Sequence, residues 1–222
     1  MQKPKLCTVL TKFDERYVEV ANRSDIVEVR IDMIGNSWTA FTKMIKKPWI
    51  ACNRSKAEGG YWERDEESRV RELLRAITFG AAYIDIELNS PNVIRVVKNV
   101  KECGCKALIS YHNFDETPSL NKLKEIFEKE VKLGADVCKI VTTAKSFQDN
   151  LTIFRLIMDT CMNAPIVAFC MGEAGVLSRV LSPFFGGMFT YASIGEGLES
   201  AKGQIDLESL ESFYNIFYSI VQ

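Results

Sequence analysis

In DIVEVRID, residues 25–32, two kinds of side chain alternate. Successive residues of an extended chain point to opposite faces, so Val27, Val29 and Ile31 fall on one side and Glu28, Arg30 and Asp32 on the other. The apolar side is suited to lie beneath a helix. The charged side needs partners or water, and a helix-covered sheet offers both if it curls into a barrel, whose strands reach solvent at their C-terminal ends. The same sorting recurs along the chain. Asp85 and Glu87 oppose Ile84, Ile86 and Leu88 in YIDIEL (83–88), and Arg54 aligns with Ile50 and Cys52 in WIACNR (49–54). His112 aligns with Ser110 and Leu108 in LISYH (108–112), and Lys139 with Val137 and Val141 in DVCKIV (136–141).

Working outward, β-branched and aromatic runs bounded by turn residues mark eight strands. They are KLCTVL (5–10), DIVEVRID, PWIACN (48–53), YIDIEL, KALISYH (106–112), DVCKIV, PIVAFCM (165–171) and MFTYAS (188–193). Helical spacing occupies the intervals. In SLNKLKEIFEKEVKLG (119–134), Leu120, Leu123, Ile126, Phe127 and Val131 recur on one helical face before Gly134 ends it. DEESRVRELLRAITFG runs to Gly80, and SPNVIRVVKNVKECG opens with Pro91 and closes at Gly104. This alternation, unbroken by a linker or a shift in composition, predicts one α/β catalytic domain over residues 1–222, a (β/α)8 TIM barrel. An open doubly wound sheet is the alternative.

The 222 residues are 47% hydrophobic and 26% charged, which suits one sizeable core and excludes a disordered or collagen-like chain. With 28 basic and 29 acidic residues the net charge is -1, so no overall field draws nucleic acid or an anionic membrane, and an acidic ligand must be met by a local site. PIVAFCM, the longest apolar run, is too short to span a bilayer, and MQKPKLCTVL lacks the apolar core of a signal peptide. Seven cysteines without CxxC pairing read as free thiols of a reducing compartment; Cys103-Gly104-Cys105 is one residue short of a zinc knuckle. A cytoplasmic protein is expected.

Of the inward charges, Asp85 invites pairing with Arg30 or Arg54. Lys139 is different. Flanked by aliphatic residues and near those arginines, it is expected to have a lowered pKa and to supply neutral amine, the form that attacks a carbonyl carbon. A Schiff base is its functional reading and a buried salt bridge its structural one. His112 is the one histidine of the chain and ends the strand before that of Lys139, on the same inward side. It is placed to move protons near neutral pH beside an iminium.

These residues sit in a longer series: EVRID (28–32), RSKAEGG (54–60), SYHNF (110–114), Lys139-Ile140, CMGEAGVLSR (170–179) and SAKGQ (200–204). In that order, each at the C-terminal end of a barrel strand, they make the chain resemble type I 3-dehydroquinate dehydratase over essentially its whole length. The resemblance implies dehydration of 3-dehydroquinate to 3-dehydroshikimate, the third step of the shikimate pathway, with no metal or cofactor. It implies that Lys139 forms the Schiff base with the C3 ketone, that His112 is acid and base, and that Glu58 orients the imidazole. Glu28, Arg30 and Arg54 would hold ring substituents, Arg179 the carboxylate, and Ser200 and Gln204 would close over the substrate. A homodimer is implied as well. Two departures stand out. Phe169 occupies a place that bacterial members give to methionine, and the chain begins almost on its first strand, so that interior aliphatic residues are expected to plug the barrel bottom.

A class I Schiff-base aldolase is the nearest rival. Its phosphorylated substrates would meet Glu173, Glu196 and Glu199 in MGEAG and IGEGLE, which repel a dianion. A catalytically silent binding module is the other. GEGLESAKGQ (195–204), small and glycine-rich, reads as a lid hinged at Gly195, Gly197 and Gly203.

Overall fold

The eight strands read from the alternation all form, each end within two residues of the one expected. In a computed structural model that describes residues 3–195 and 197–221, they are β1 (Leu6–Leu10), β2 (Ile26–Arg30), β3 (Trp49–Cys52), β4 (Tyr83–Glu87), β5 (Lys106–His112), β6 (Val137–Thr143), β7 (Ile166–Met171) and β8 (Thr190–Ser193). All pair in parallel, in the order β7-β6-β5-β4-β3-β2-β1-β8. The sheet therefore curls into a TIM-barrel-like fold as a single domain. A ninth strand, β9 (Ile205–Asp206), pairs with the upper half of β8 through Ala192 and Ser193. No run of β-branched residues announces it; the barrel wall recruits it after the loop that precedes it. At the seam toward β7, Met188 N–H donates to Ile166 O at the bottom and Gly172 N–H to Lys202 O at the top.

Helices follow the strands: α1 (Glu15–Ala21), α2 (Ile31–Ile34), α3 (Trp38–Thr42), α4 (Glu66–Arg75), α5 (Val93–Glu102), α6 (Leu120–Lys132), α7 (Gln148–Thr160), α8 (Val176–Leu181) and α9 (Leu207–Val221). Their ends have local causes. Asp65 and Ser119 accept from backbone N–H groups of the first turns of α4 and α6. Gly104 and Gly134, beyond the ends of α5 and α6, take positive φ (71° and 90°), a conformation that a side chain would resist. None of the described helices is long and apolar enough to cross a membrane.

Apolar residues occupy both faces of the sheet at its lower end. Val27, Val29, Ile84, Ile86 and Ile109 lie outward under the helices, while Ile26, Ile50, Leu108, Val137 and Val167 pack inside the barrel. The interior plug contains aromatic as well as aliphatic residues, since Tyr83 and Phe189 share it. Two positions further along the same inward faces stand Glu28, Cys52, Ser110 and Lys139, buried as well. Strand 2 is shorter than expected. It ends at Arg30, and Asp32 lies in α2, where its carboxylate accepts from Arg30 and from Tyr61 N–H.

Candidate active site

Lys139 points from the middle of β6 into the barrel, where water is scarce and a lone ammonium would be costly. It is not alone. Its Nζ lies 2.9 Å from Asp85 Oδ2 and 3.2 Å from Glu28 Oε2, and 4.4 Å from the ring centre of Tyr191. Burial and Arg54 press its pKa down, but Asp85 and Glu28 outweigh them and hold it above that of an ordinary lysine. This corrects the sequence expectation of a lowered value. Carboxylates on β2 and β4 are brought to the amine by barrel closure, a proximity that spacing along one strand does not reveal.

Asp85 pairs with Arg54 rather than Arg30: Arg54 Nη2 donates to Asp85 Oδ2 at 2.7 Å and Nη1 to Ser110 Oγ at 2.7 Å. Ser110 in turn donates to Asp85 Oδ1 at 2.7 Å. Burial works against this carboxylate, yet Arg54, Lys139 and Ser110 together hold it well below the usual range. Arg54 also faces Glu87 at 3.2 Å, and Glu87 meets the buried Arg69 at 2.9 Å. Arg30 is taken by Asp32.

At the end of β5, His112 Nδ1 lies 2.8 Å from Glu58 Oε2, which leaves Nε2 for the cavity. Burial, then the charges of Arg54 and Lys139, push the imidazole pKa well below its ordinary value. The ring is therefore neutral at pH 7. Glu58 moves the other way: burial, helped by Glu87 and Asp85 against Arg54, lifts its carboxyl to about 7. Within this pair the group that titrates near neutrality is thus Glu58, where the sequence pointed to the histidine. Phe114, four residues beyond Ser110, stacks beside His112 with ring centres 6.2 Å apart, and its edge lies where a Cβ on Gly59 would come within 2.7 Å.

Across the cavity, Arg179 from α8 is 2% exposed, and among the described residues no carboxylate pairs with it. Its Nε has no hydrogen-bond partner, Nη2 reaches only Lys202 O at 3.3 Å, and the guanidinium lies 4.5 Å over the Phe169 ring. Burial lowers its pKa to about 10. Phe169 thus gives the wall a flat aromatic platform. Ser200 donates from N–H and Oγ to Gln204 Oε1 at 2.7 and 3.1 Å. Gly203 must be glycine where it stands: its φ is 75°, and a Cβ there would come within 2.7 Å of Gly172 O. Glu196 lies outside the described residues.

One cavity of about 80 Å3 is lined by Glu28, Arg30, Arg54, Glu58, His112, Lys139, Arg179, Ser200 and Gln204, the nine residues to which the resemblance gave catalytic or binding roles; Asp85 stands behind Lys139 and does not line it. Tyr191, on β8, was not singled out. Its position two residues above Phe189 on an inward face was the available signal. Glu28, Cys52 and Asp85 offer ligand atoms within 4.8 Å of one another. Lys139 Nζ already satisfies both carboxylates, however, and burial raises the Cys52 thiol pKa well above the ordinary, so this trio suits an ammonium better than a metal ion.

Residues 7–221 match the family model for type I 3-dehydroquinase. The chain is 37% identical over 215 residues to a 3-dehydroquinate dehydratase of Dehalococcoides mccartyi, covering 96% of each chain. It is 39% identical over 208 residues to one of Methanocaldococcus jannaschii, covering 92% of this chain and 91% of the relative. Among solved structures, the 3-dehydroquinate dehydratase of Geobacillus kaustophilus superposes with a TM-score of 0.86 at 25% identity, over 100% of this chain and 93% of that one.

Proposed function

The chain belongs to the type I 3-dehydroquinase family, hydro-lyases that dehydrate 3-dehydroquinate through a Schiff base in the shikimate pathway, and from that premise we propose that Lys139 is the amine that forms it. One observation carries the assignment: Lys139 is the single buried lysine among the described residues, and it lies in the cavity that His112, Glu58 and Arg179 also line. The whole of residues 1–222 acts as one catalytic domain.

Lys139 gives up a proton and adds to the C3 ketone as the neutral amine, and that proton leaves with the carbinolamine hydroxyl as water, to give an iminium. The carboxylates of Asp85 and Glu28, which favour the ammonium, favour this equally cationic species. The iminium draws electrons from C2, whose proton passes to His112 Nε2. Glu58 fits this step. When its carboxylate accepts from Nδ1–H, Nε2 carries the lone pair of a base; once the pair has gained the C2 proton, a carboxyl group that titrates at about 7 can share it. The imidazole then protonates the departing C1 hydroxyl, and hydrolysis frees the lysine. Neither a Schiff-base aldolase nor a silent barrel fits the family.

Arg179 takes the substrate carboxylate. Support comes from its buried guanidinium, whose hydrogen-bonding capacity is largely unused. Glu28, Arg30 and Arg54 bind ring substituents, and Ser200 and Gln204 close over them. We further propose a cytoplasmic homodimer. Its support is the set of unpaired thiols and the exposed apolar residues along α7 and just beyond its two ends, Leu151 and Met158 within it and Phe147 and Met162 flanking it. Sedimentation at two concentrations checks the dimer.

The test is turnover, followed by the absorbance of the conjugated product. Lys139→Met should abolish it, while His112→Ala should slow it by roughly 100- to 10,000-fold, the range of general acid–base contributions. Activity retained by Lys139→Met overturns the assignment.

A further inference from the structure

The Tyr191 side chain touches the reacting amine from one side and the amine's carboxylate from another. Its hydroxyl donates to Glu28 Oε2 at 2.8 Å, the same oxygen that Lys139 Nζ reaches at 3.2 Å. Its ring faces Nζ at 4.4 Å. The ring is held by edge contacts from Phe169 and Phe189, with centres 5.9 and 5.4 Å away, and the whole side chain is buried. β8 places it there by pairing Tyr191 with Cys7 of β1, next to the strand that carries Glu28.

We propose that Tyr191 is a positioning residue for the reacting amine, whose hydroxyl competes with Lys139 for Glu28 while its ring face seats the ammonium. This rests on Lys139 as the Schiff-base lysine. An ion pair holds a proton on an amine in proportion to how completely the carboxylate is given to it. Here one oxygen serves two donors, so Glu28 grips the ammonium less than it would alone. The ring gives the buried cationic nitrogen a face, and serves ammonium and iminium alike. Charge reaches Nζ from other sides too: Asp85 on β4 attracts it, Arg54 beyond β3 and His112 on β5 border it, and Cys52 on β3 and Cys7 on β1 are thiols that burial keeps protonated. β7 contributes the uncharged Phe169. Ser110 on β5 is neutral too but donates to Asp85 Oδ1, the oxygen that Lys139 does not reach, whereas Tyr191, its phenol pKa raised well above the ordinary by burial, shares with Lys139 a single oxygen of Glu28.

Tyr191→Phe keeps the ring and removes the competitor. Reductive trapping of the iminium by borohydride, with 3-dehydroquinate as the probe, is measured against pH for the wild-type protein and the variant. Labelling of the wild-type protein at Lys139 tests the assignment on which the idea rests; failure there refutes that assignment, not only this one. Given that labelling, Tyr191→Phe should move the midpoint of trapping up by about one pH unit, lower turnover at pH 7 by about 3- to 10-fold and leave KM within about twofold, as loss of a hydrogen bond to a charged group would. A residue that only fills space would leave the midpoint in place. An unmoved or lowered midpoint overturns the proposal.

Discussion

The two sides of the cavity treat their cations differently. Toward β2–β6, Lys139, Arg54 and Arg30 each meet a carboxylate within 3.2 Å or less. Toward β7 and α8, Arg179 is equally buried and meets none among the described residues. Burying a guanidinium without an anion is costly, and the fall of its pKa to about 10 expresses that cost. The first side is complete before a ligand arrives; its charges are arranged for a cationic intermediate. The second is completed by an anion from outside.

Removing an arginine from each side separates the two. Arg54→Met leaves Asp85 and Glu87 short of a partner, and breaking a buried pair of this kind costs about 3–5 kcal/mol of stability, read as a lowered denaturant midpoint. Arg179→Met strands no carboxylate. It should leave the midpoint unchanged or raise it, while KM rises by about 10- to 100-fold, in line with the 1.5–3 kcal/mol of a charge-assisted hydrogen bond. Loss of stability in Arg179→Met, with KM unchanged, would erase the distinction.

The His112–Glu58 pair joins the two sides and gives opposite signs for activity and stability. Below about pH 7 the pair keeps an extra proton and Nε2 is no longer a free base, so kcat/KM should fall about tenfold per pH unit there. For stability, the folded carboxyl titrates at about 7 against an ordinary 4.5, so the unfolded chain releases its proton first. The contribution is complete below pH 4.5 and is lost as pH rises through 7. Comparison with Glu58→Gln, in rate profiles and denaturation between pH 4 and 8, isolates both effects. The smallest effect is expected at the loop. Gln204→Ala removes the acceptor of Ser200 and should raise KM by a few fold with little change in the yield of trapping at saturating substrate.

Local alternation carried most of the fold into the sequence. Glu28 and Arg30 against Val27 and Val29 sufficed to place β2, and Gly104 and Gly134 to end two helices. β9 was hidden because two residues hold no pattern of their own; pairing with β8 makes them a strand. The site was legible as a set of residues and illegible as a set of charges. All nine side chains reach one cavity, but whether Lys139 is raised or lowered depends on how Asp85 and Glu28 outweigh Arg54, and that balance arises only when four strands close around the amine. Tyr191 stood in plain alternation too, yet an aromatic residue in a buried strand reads as core until its hydroxyl is found on Glu28.

The central claim is that Lys139 becomes covalently bound to substrate. Borohydride added to the protein with 3-dehydroquinate, followed by proteolysis and mass spectrometry, tests it directly. One reduced ligand should be found per chain, on the peptide carrying Lys139, with full loss of activity and no labelling when substrate is omitted. Labelling on Lys145 or Lys202, or turnover that survives reduction with substrate present, would contradict it.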